Sequence, residues 1–215
     1  RYLHSFPTRR SSDLVHLRED RRHIQERDVR LLHSVLQTRM NLEMAASSEM
    51  LKFACELQPQ DCCLVPERRQ ELTTEGGLDV CVQHKSLASV CAQLMDAGVR
   101  VALFIDPDQE QIEAAASLRV PVVELHAGRY ADATDSRVQA EELHRLREAT
   151  QLALQRRLEV HAGHGLHYHN VIPVAAIPGV TELNIGHAIV SRALMVGLTT
   201  AVMEMKQLVR DARSL

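Results

Sequence analysis

Along this chain a short apolar run is followed, again and again, by a segment with the helical period. The runs are LVHLR (14–18), MNLEM (40–44), CCLVP (62–66), RVALFID (100–106), VVELHAG (122–128), EVHAGHG (159–165) and ELNIGH (182–187). They are too short for buried helices and several are rich in Val, Leu or Ile. Strands of a parallel sheet covered on both faces read this way. The segments between them carry stripes: Val29, Leu32 and Val35/Leu36; Leu87, Val90, Cys91 and Leu94, with Gly98 placed to stop that helix; Leu143, Leu146, Ala149 and Ala153; and Ala201, Val202, Met205, Leu208, Val209 and Ala212. In DPDQ (106–109), Asp106 is expected as an N-cap, with Pro107 at the first helical position and Gln109 three residues after the cap.

Such alternation admits a doubly wound sheet or a (β/α)8 barrel. A dinucleotide-binding sheet would carry G-x-G-x-x-G after its first strand, and this sequence has none. The barrel is therefore preferred. A barrel needs eight strands and seven runs are present, so the expected fold is a (β/α)8 TIM barrel lacking its first strand–helix unit. No Pro/Gly/Ser linker divides the chain. The organisation expected is a leader foreign to the barrel at 1–14 and one incomplete barrel domain at 15–215.

The 215 residues are 45% hydrophobic and 25% charged, enough for a core. Aromatics are 3% and Trp is absent, so aliphatic residues and Met must fill it. A net charge of -3 points away from nucleic acid, and no apolar run has the length of a membrane span. The five cysteines are odd in number and lack C-x-x-C spacing, which favours reduced core thiols in a cytoplasmic protein.

In a barrel the chemistry sits at the C-terminal ends of the strands. Those ends offer His16 and Arg18, then Glu43, then the charged loop ERRQELTTEGGLD, then Glu124 and His126, His164 and Gly165, and Gly186 and His187. One histidine on an apolar run is more often packing than catalysis. Several ionisable groups at matching ends of different strands are costly to bury unless they are paired or used. HAGHG and NIGHA each place Gly before a loop or helix, where backbone N–H groups can meet a phosphate; tight turns explain them equally. The loop 67–79 reads as a lid over substrate or as a plain surface loop. The three lysines, Lys52, Lys85 and Lys206, fall in or beside helical segments, so no strand-borne lysine offers a Schiff base. His161, His164, His167 and His169 invite a zinc reading, but their spacing matches no helical ligand pair. His33, His84 and His144 read as surface residues, and the arginine pairs 21–22, 68–69 and 156–157 as solvated charge, the first two bordering the rim.

The segments VHLREDRRHI, RMNLEMA, CCLVPERRQELTTEGGLDV, LFIDPD, VELHAGRYADA, HAGHGLHYHNV and ELNIGHAIVSRALMVGL together resemble the pyridoxine 5′-phosphate synthase family, over about residues 14–213. The resemblance implies a (β/α)8 barrel that joins 1-deoxy-D-xylulose 5-phosphate to 3-amino-2-oxopropyl phosphate, giving pyridoxine 5′-phosphate, phosphate and water. It implies no metal and no organic cofactor. It implies His16 and Glu43 as proton acceptors, His164 as proton donor and Glu124 as stabiliser of developing positive charge. Arg18, His23 and Thr73 would hold the deoxyxylulose phosphate; Gly165, Gly186 and His187 would hold the amino-ketone or the product. Family members form homo-octamers and act in de novo vitamin B6 biosynthesis, with two phosphorylated small molecules as partners.

The family opens on a strand with Asn-x-Asp-His, absent here. HSFPTRRSSDL (4–14) matches one translated frame of a short-read sequencing adapter, so residues 1–14 are read as an adapter fused to a truncated gene; a transit peptide is the rival. On that reading the chain as written should be poorly stable and inactive. Two other function classes stand beside the synthase: a metal-dependent sugar-phosphate aldolase or epimerase barrel using the histidine cluster, and an inactive truncated barrel acting as a binding module.

Overall fold

The computed structural model describes residues 12–67 and 76–214. Its sheet has seven parallel strands, paired in chain order: β1 (Ser12–His16), β2 (Arg39–Met44), β3 (Asp61–Leu64), β4 (Arg100–Ile105), β5 (Val122–His126), β6 (Glu159–Gly163) and β7 (Val180–Asn184). Helices fill the connections: α1 (Glu26–Val35), α2 (Ser48–Leu57), α3 (Val80–Asp96), α4 (Gln109–Ser117), the short α5 (Gly128–Asp132), α6 (Ser136–Gln155), α7 (Val171–Ala175), α8 (His187–Val196) and α9 (Leu198–Ala212). This is an α/β, TIM-barrel-like fold in which the strands curl into a partial barrel, and an absent first unit is consistent with it. Every expected run contains a strand. β1 starts at Ser12, so residues 12–14 pair with Arg39, Met40 and Asn41 inside the sheet. Residues 1–11 lie outside the described residues.

Period-two alternation sorts the strand side chains into two layers. Met40, Leu42, Met44, Cys62, Leu64, Val101, Leu103, Ile105, Val123, Leu125, Val160 and Ala162 belong to the large core formed with the helices. From that side Val29, Leu87, Val90, Leu94, Leu146, Ala149 and Ala153 meet them, as the helical stripes require, while Ala201, Val202 and Met205 of α9 are buried apart from that cluster. The intervening residues face the barrel axis, where Cys63, Val65, Ala102 and Val122 make a small apolar plug beside Phe104. Glu43, Glu124, His126 and His161 belong to this same inner set. The runs look apolar because the outer half of each is buried in hydrocarbon; the inner half carries the polar groups.

Local expectations hold with two corrections. Gly98 follows α3 with φ +84, a conformation that favours glycine, and ends the helix. Asp106 is not the N-cap of α4; Asp108 holds that position, without a side-chain capping bond, and the Asp106 carboxylate instead accepts the Gly77 N–H and contacts His126. The cysteines are free, but only Cys62, Cys63 and Cys91 are buried; Cys55 is half-buried and Cys81 is exposed on α3.

Below the rim, charged side chains tie the strands across the barrel. Arg39 lies 3.5 Å from both Asp61 and Glu182, and Arg100 donates to Asp61 at 3.0 Å and pairs with Glu159. Thr181 donates to Glu159, and Ser12 Oγ donates to Glu182 at 2.7 Å. The last contact matters because, among the described residues, β1 and β7 do not pair with each other. Glu182 therefore bridges the seam through Ser12 and Arg39. No helix among the described residues is long and apolar enough to cross a membrane.

Candidate active site

The strand register sets the rim. His16 is the last residue of β1 and lies opposite Glu43; Glu43 lies opposite Cys63; Glu124 lies opposite His161. His16, Arg18, Glu43, Glu124, His126, His164, Gly165, Gly186 and His187 line one cavity of about 2030 Å³. An adjoining cavity of about 540 Å³ is lined by Arg18, Arg22 and His23. Eight of the ten residues named from the sequence thus share one space and His23 lies beside it. Thr73 lies outside the described residues.

His16 is held between two carboxylates. Its Nδ1 lies 3.4 Å from Glu43 and its Nε2 3.0 Å from Glu67, whose other oxygen accepts the Glu19 N–H. Burial pushes the Glu43 carboxyl up to about 7, helped by the charge of Glu124 and opposed by His16. Glu124, 2% exposed, is likewise pushed up to about 7 by burial. Two donors oppose that rise: Asn184 Nδ2 at 2.6 Å and the Cys63 thiol at 3.6 Å. Burial raises the Cys63 thiol well above its ordinary value, so it stays a donor. Gly163 makes room for this carboxyl, since a Cβ there would sit 2.1 Å from Glu124 Oε1.

The phosphate-side candidates are cationic or backbone-rich. Arg18 Nε approaches Asp20 at 3.7 Å, and His23 is exposed with φ +67. Arg21 and Arg22 are taken up in ion pairs with Glu26, Glu49 and Asp20. Arg156 pairs with Glu113, while Arg68 and Arg69 lie outside the described residues. His164 and Gly165 have φ +74 and +75, and Gly186 and His187 open α8 exposed to the cavity.

The histidine cluster separates. His161 is buried in the barrel beside Glu159, and His167 and His169 meet edge to face in the loop. Among the described residues no group of three His, Cys, Asp or Glu side chains could hold a metal. His84 and His144 are exposed, but His33 is half-buried. Lys52 and Lys85 sit on α2 and α3; Lys206, on α9, reaches the cavity wall away from the strand ends. Sequence reasoning missed Glu67, Cys63, Gly163 and Asn184 as partners at the rim and gave Asp106 the wrong task. Asp106, Gly163 and Asn184 stand at strand ends and Glu67 opens the charged loop, but the contacts they and Cys63 make are tertiary and carry no local mark.

A family model described as "Pyridoxal phosphate biosynthesis protein PdxJ" matches residues 11–211. The pyridoxine 5′-phosphate synthase of Blochmanniella pennsylvanica (strain BPEN) is 53% identical over 199 residues, which cover 93% of this chain and 82% of that relative. Solved structures share the fold at low identity. Phosphoribosyl anthranilate isomerase from Thermus thermophilus aligns with TM-score 0.62 and 13% identity, covering 94% of this chain and 89% of that one. The Amycolatopsis orientalis BexX/CysO complex aligns with TM-score 0.64 and 12% identity, covering 96% and 80%.

Proposed function

The chain belongs to the PdxJ family of pyridoxal phosphate biosynthesis proteins, and from that premise we propose that it is a pyridoxine 5′-phosphate synthase working through the rim described above. The observation that carries the chemistry is the pair Glu43 and Glu124, a half-buried and a buried carboxyl both pushed up to about 7 at one cavity. Near neutral pH each can hold or release a proton, which is what repeated acid–base steps require.

The reaction joins 1-deoxy-D-xylulose 5-phosphate to 3-amino-2-oxopropyl phosphate. The amine of one substrate attacks the ketone of the other and water leaves, so the imine forms between substrates. His16, between Glu43 and Glu67, accepts protons, with Glu43 as second acceptor. His164, exposed to the cavity, donates to departing oxygens. Glu124, when ionised inside the barrel, stabilises positive charge on the condensing nitrogen. Arg18 and His23 line the side where a phosphate of the deoxyxylulose substrate would be held, and the family resemblance gives Thr73 the same task. Gly165, Gly186 and His187 present backbone groups to the amino-ketone phosphate or the product. Two phosphorylated small molecules are the partners, and a cytoplasmic homo-octamer is the assembly that the family resemblance implies.

The test is incubation of the purified chain with both substrates, followed by quantification of pyridoxine 5′-phosphate and phosphate. The two should appear in equal amounts. Borohydride added during turnover should leave the mass of the chain unchanged. A reduced adduct on Lys206 would replace the substrate–substrate imine with an enzyme-bound one, and absence of product both from this chain and from the chain joined to the family's first strand–helix unit would overturn the proposal.

A further inference from the structure

His126 ends β5, is 5% exposed and takes no part in the steps above. Its Nδ1 lies 2.9 Å from Asp106 Oδ1, and that oxygen also accepts the Gly77 N–H at 3.1 Å. His126 first, and Gly77 with it, hold the Asp106 carboxyl below its ordinary range. An ionised carboxylate only accepts hydrogen bonds, so Nδ1 carries the proton of His126 and the ring is fixed in one orientation. Its Nε2 is buried with no hydrogen-bond partner among the described residues.

The fixed ring packs edge-on against two neighbours, Phe104 at 5.0 Å and His164 at 4.9 Å between centroids. His164 needs such a wall. It stands past the end of β6 in the left-handed region, followed by Gly165 in the same region, so the chain leaves the strand line at this residue. Such backbone persists at functional sites when surrounding structure holds it. Gly128 shows how closely the two rings are set: a Cβ there would lie 2.5 Å from His126 Nε2 and 3.1 Å from His164 Cδ2.

We infer that His126 is a positioning residue: anchored by Asp106, its ring fixes the place and orientation of the His164 imidazole at the rim. The inference rests on the synthase reading, in which His164 is the proton donor. In this role His126 acts through His164.

Three variants test it. His126→Ala removes the wall, Asp106→Ala removes the anchor outside the hydrophobic core, and Gly128→Ala pushes the rings apart. Each should lower kcat by about 10- to 100-fold, with KM for both substrates held within about twofold, because a misplaced donor costs rate and not binding. In an His164→Asn background, His126→Ala should cost nothing further. A readout independent of turnover is the ring 1H–13C correlation of His164, identified as the signal lost in His164→Asn. It should move in His126→Ala and Asp106→Ala and stay in place in His144→Ala, a change on the exposed face of α6. A His164 signal unmoved by both changes would overturn the inference. So would a loss of rate from His126→Ala that is as large without His164 as with it. If the chain forms no product even when joined to the family's first strand–helix unit, the synthase reading falls, and the ring spectrum still decides whether His126 sets His164.

Discussion

Replacing Glu124 with Gln keeps the shape of the side chain and removes its charge, and the consequence for stability can be worked from the site. A carboxyl ordinarily at 4.5 that titrates at about 7 when folded binds a proton over a range where the unfolded chain has released it. Stability therefore falls as pH rises through that window, and the cost is complete above about 7. Each pH unit is worth about 1.4 kcal/mol, so ionising Glu124 in the fold costs roughly 3 kcal/mol. The neutral amide of Glu124→Gln carries no such cost. The substitution also removes the charge that helps raise Glu43, so the second carboxyl moves back toward its ordinary value. The amide oxygen can still accept from Asn184. Equilibrium urea unfolding at several pH values between about 4.5 and 8 measures this directly. The two proteins should be nearly equal in stability at the acid end, and the variant should gain up to about 3 kcal/mol at the alkaline end. Product formation should fall about 100-fold in the same variant, a trade of activity for stability. Parallel stability curves for the two proteins would refute the claim that burial holds Glu124 near neutrality.

Gly163→Ala should lower kcat about 100-fold with unchanged circular dichroism, since the new Cβ would lie 2.1 Å from Glu124 Oε1 and displace the carboxyl from Asn184. His16→Asn removes the imidazole that opposes the rise of Glu43, so the Glu43 carboxyl should titrate still higher, seen by 13C NMR of labelled glutamate. Glu182→Ala breaks the bridge to Ser12 and Arg39 across the seam between β1 and β7; a loss of about 1–2 kcal/mol is expected, with hydrogen exchange rising first in β1.

The strands were legible because their outer faces must be apolar, and the period of the helices follows from the same burial. The rim was legible where the residue type itself is costly to bury: His16, Glu43, Glu124 and His164 announce themselves by charge at strand ends. Asp106 did not, because a carboxylate before Pro107 reads locally as a cap, and the contact to His126 crosses from β4 to β5. Asn184 is neutral and Cys63 apolar in pattern, so neither marks itself as a donor to Glu124. Gly163 reads as a turn residue, yet its place is dictated by the carboxyl that fills the space of its missing side chain. The histidine cluster failed in the opposite direction: four imidazoles close in sequence diverge because β6 buries His161 beside Glu159, His164 turns to His126 at the cavity, and His167 and His169 meet each other in the loop beyond.

The central claim is that carboxyls held near neutrality at this rim drive the closing of the pyridoxine ring. The rate of pyridoxine 5′-phosphate formation from the two substrates, followed from about pH 5 to 9, tests it most directly. The rate should turn on a group titrating near 7, and this limb should move or vanish in Glu43→Gln and Glu124→Gln. A rate that is flat through neutrality, or a limb that both variants leave in place, would contradict it.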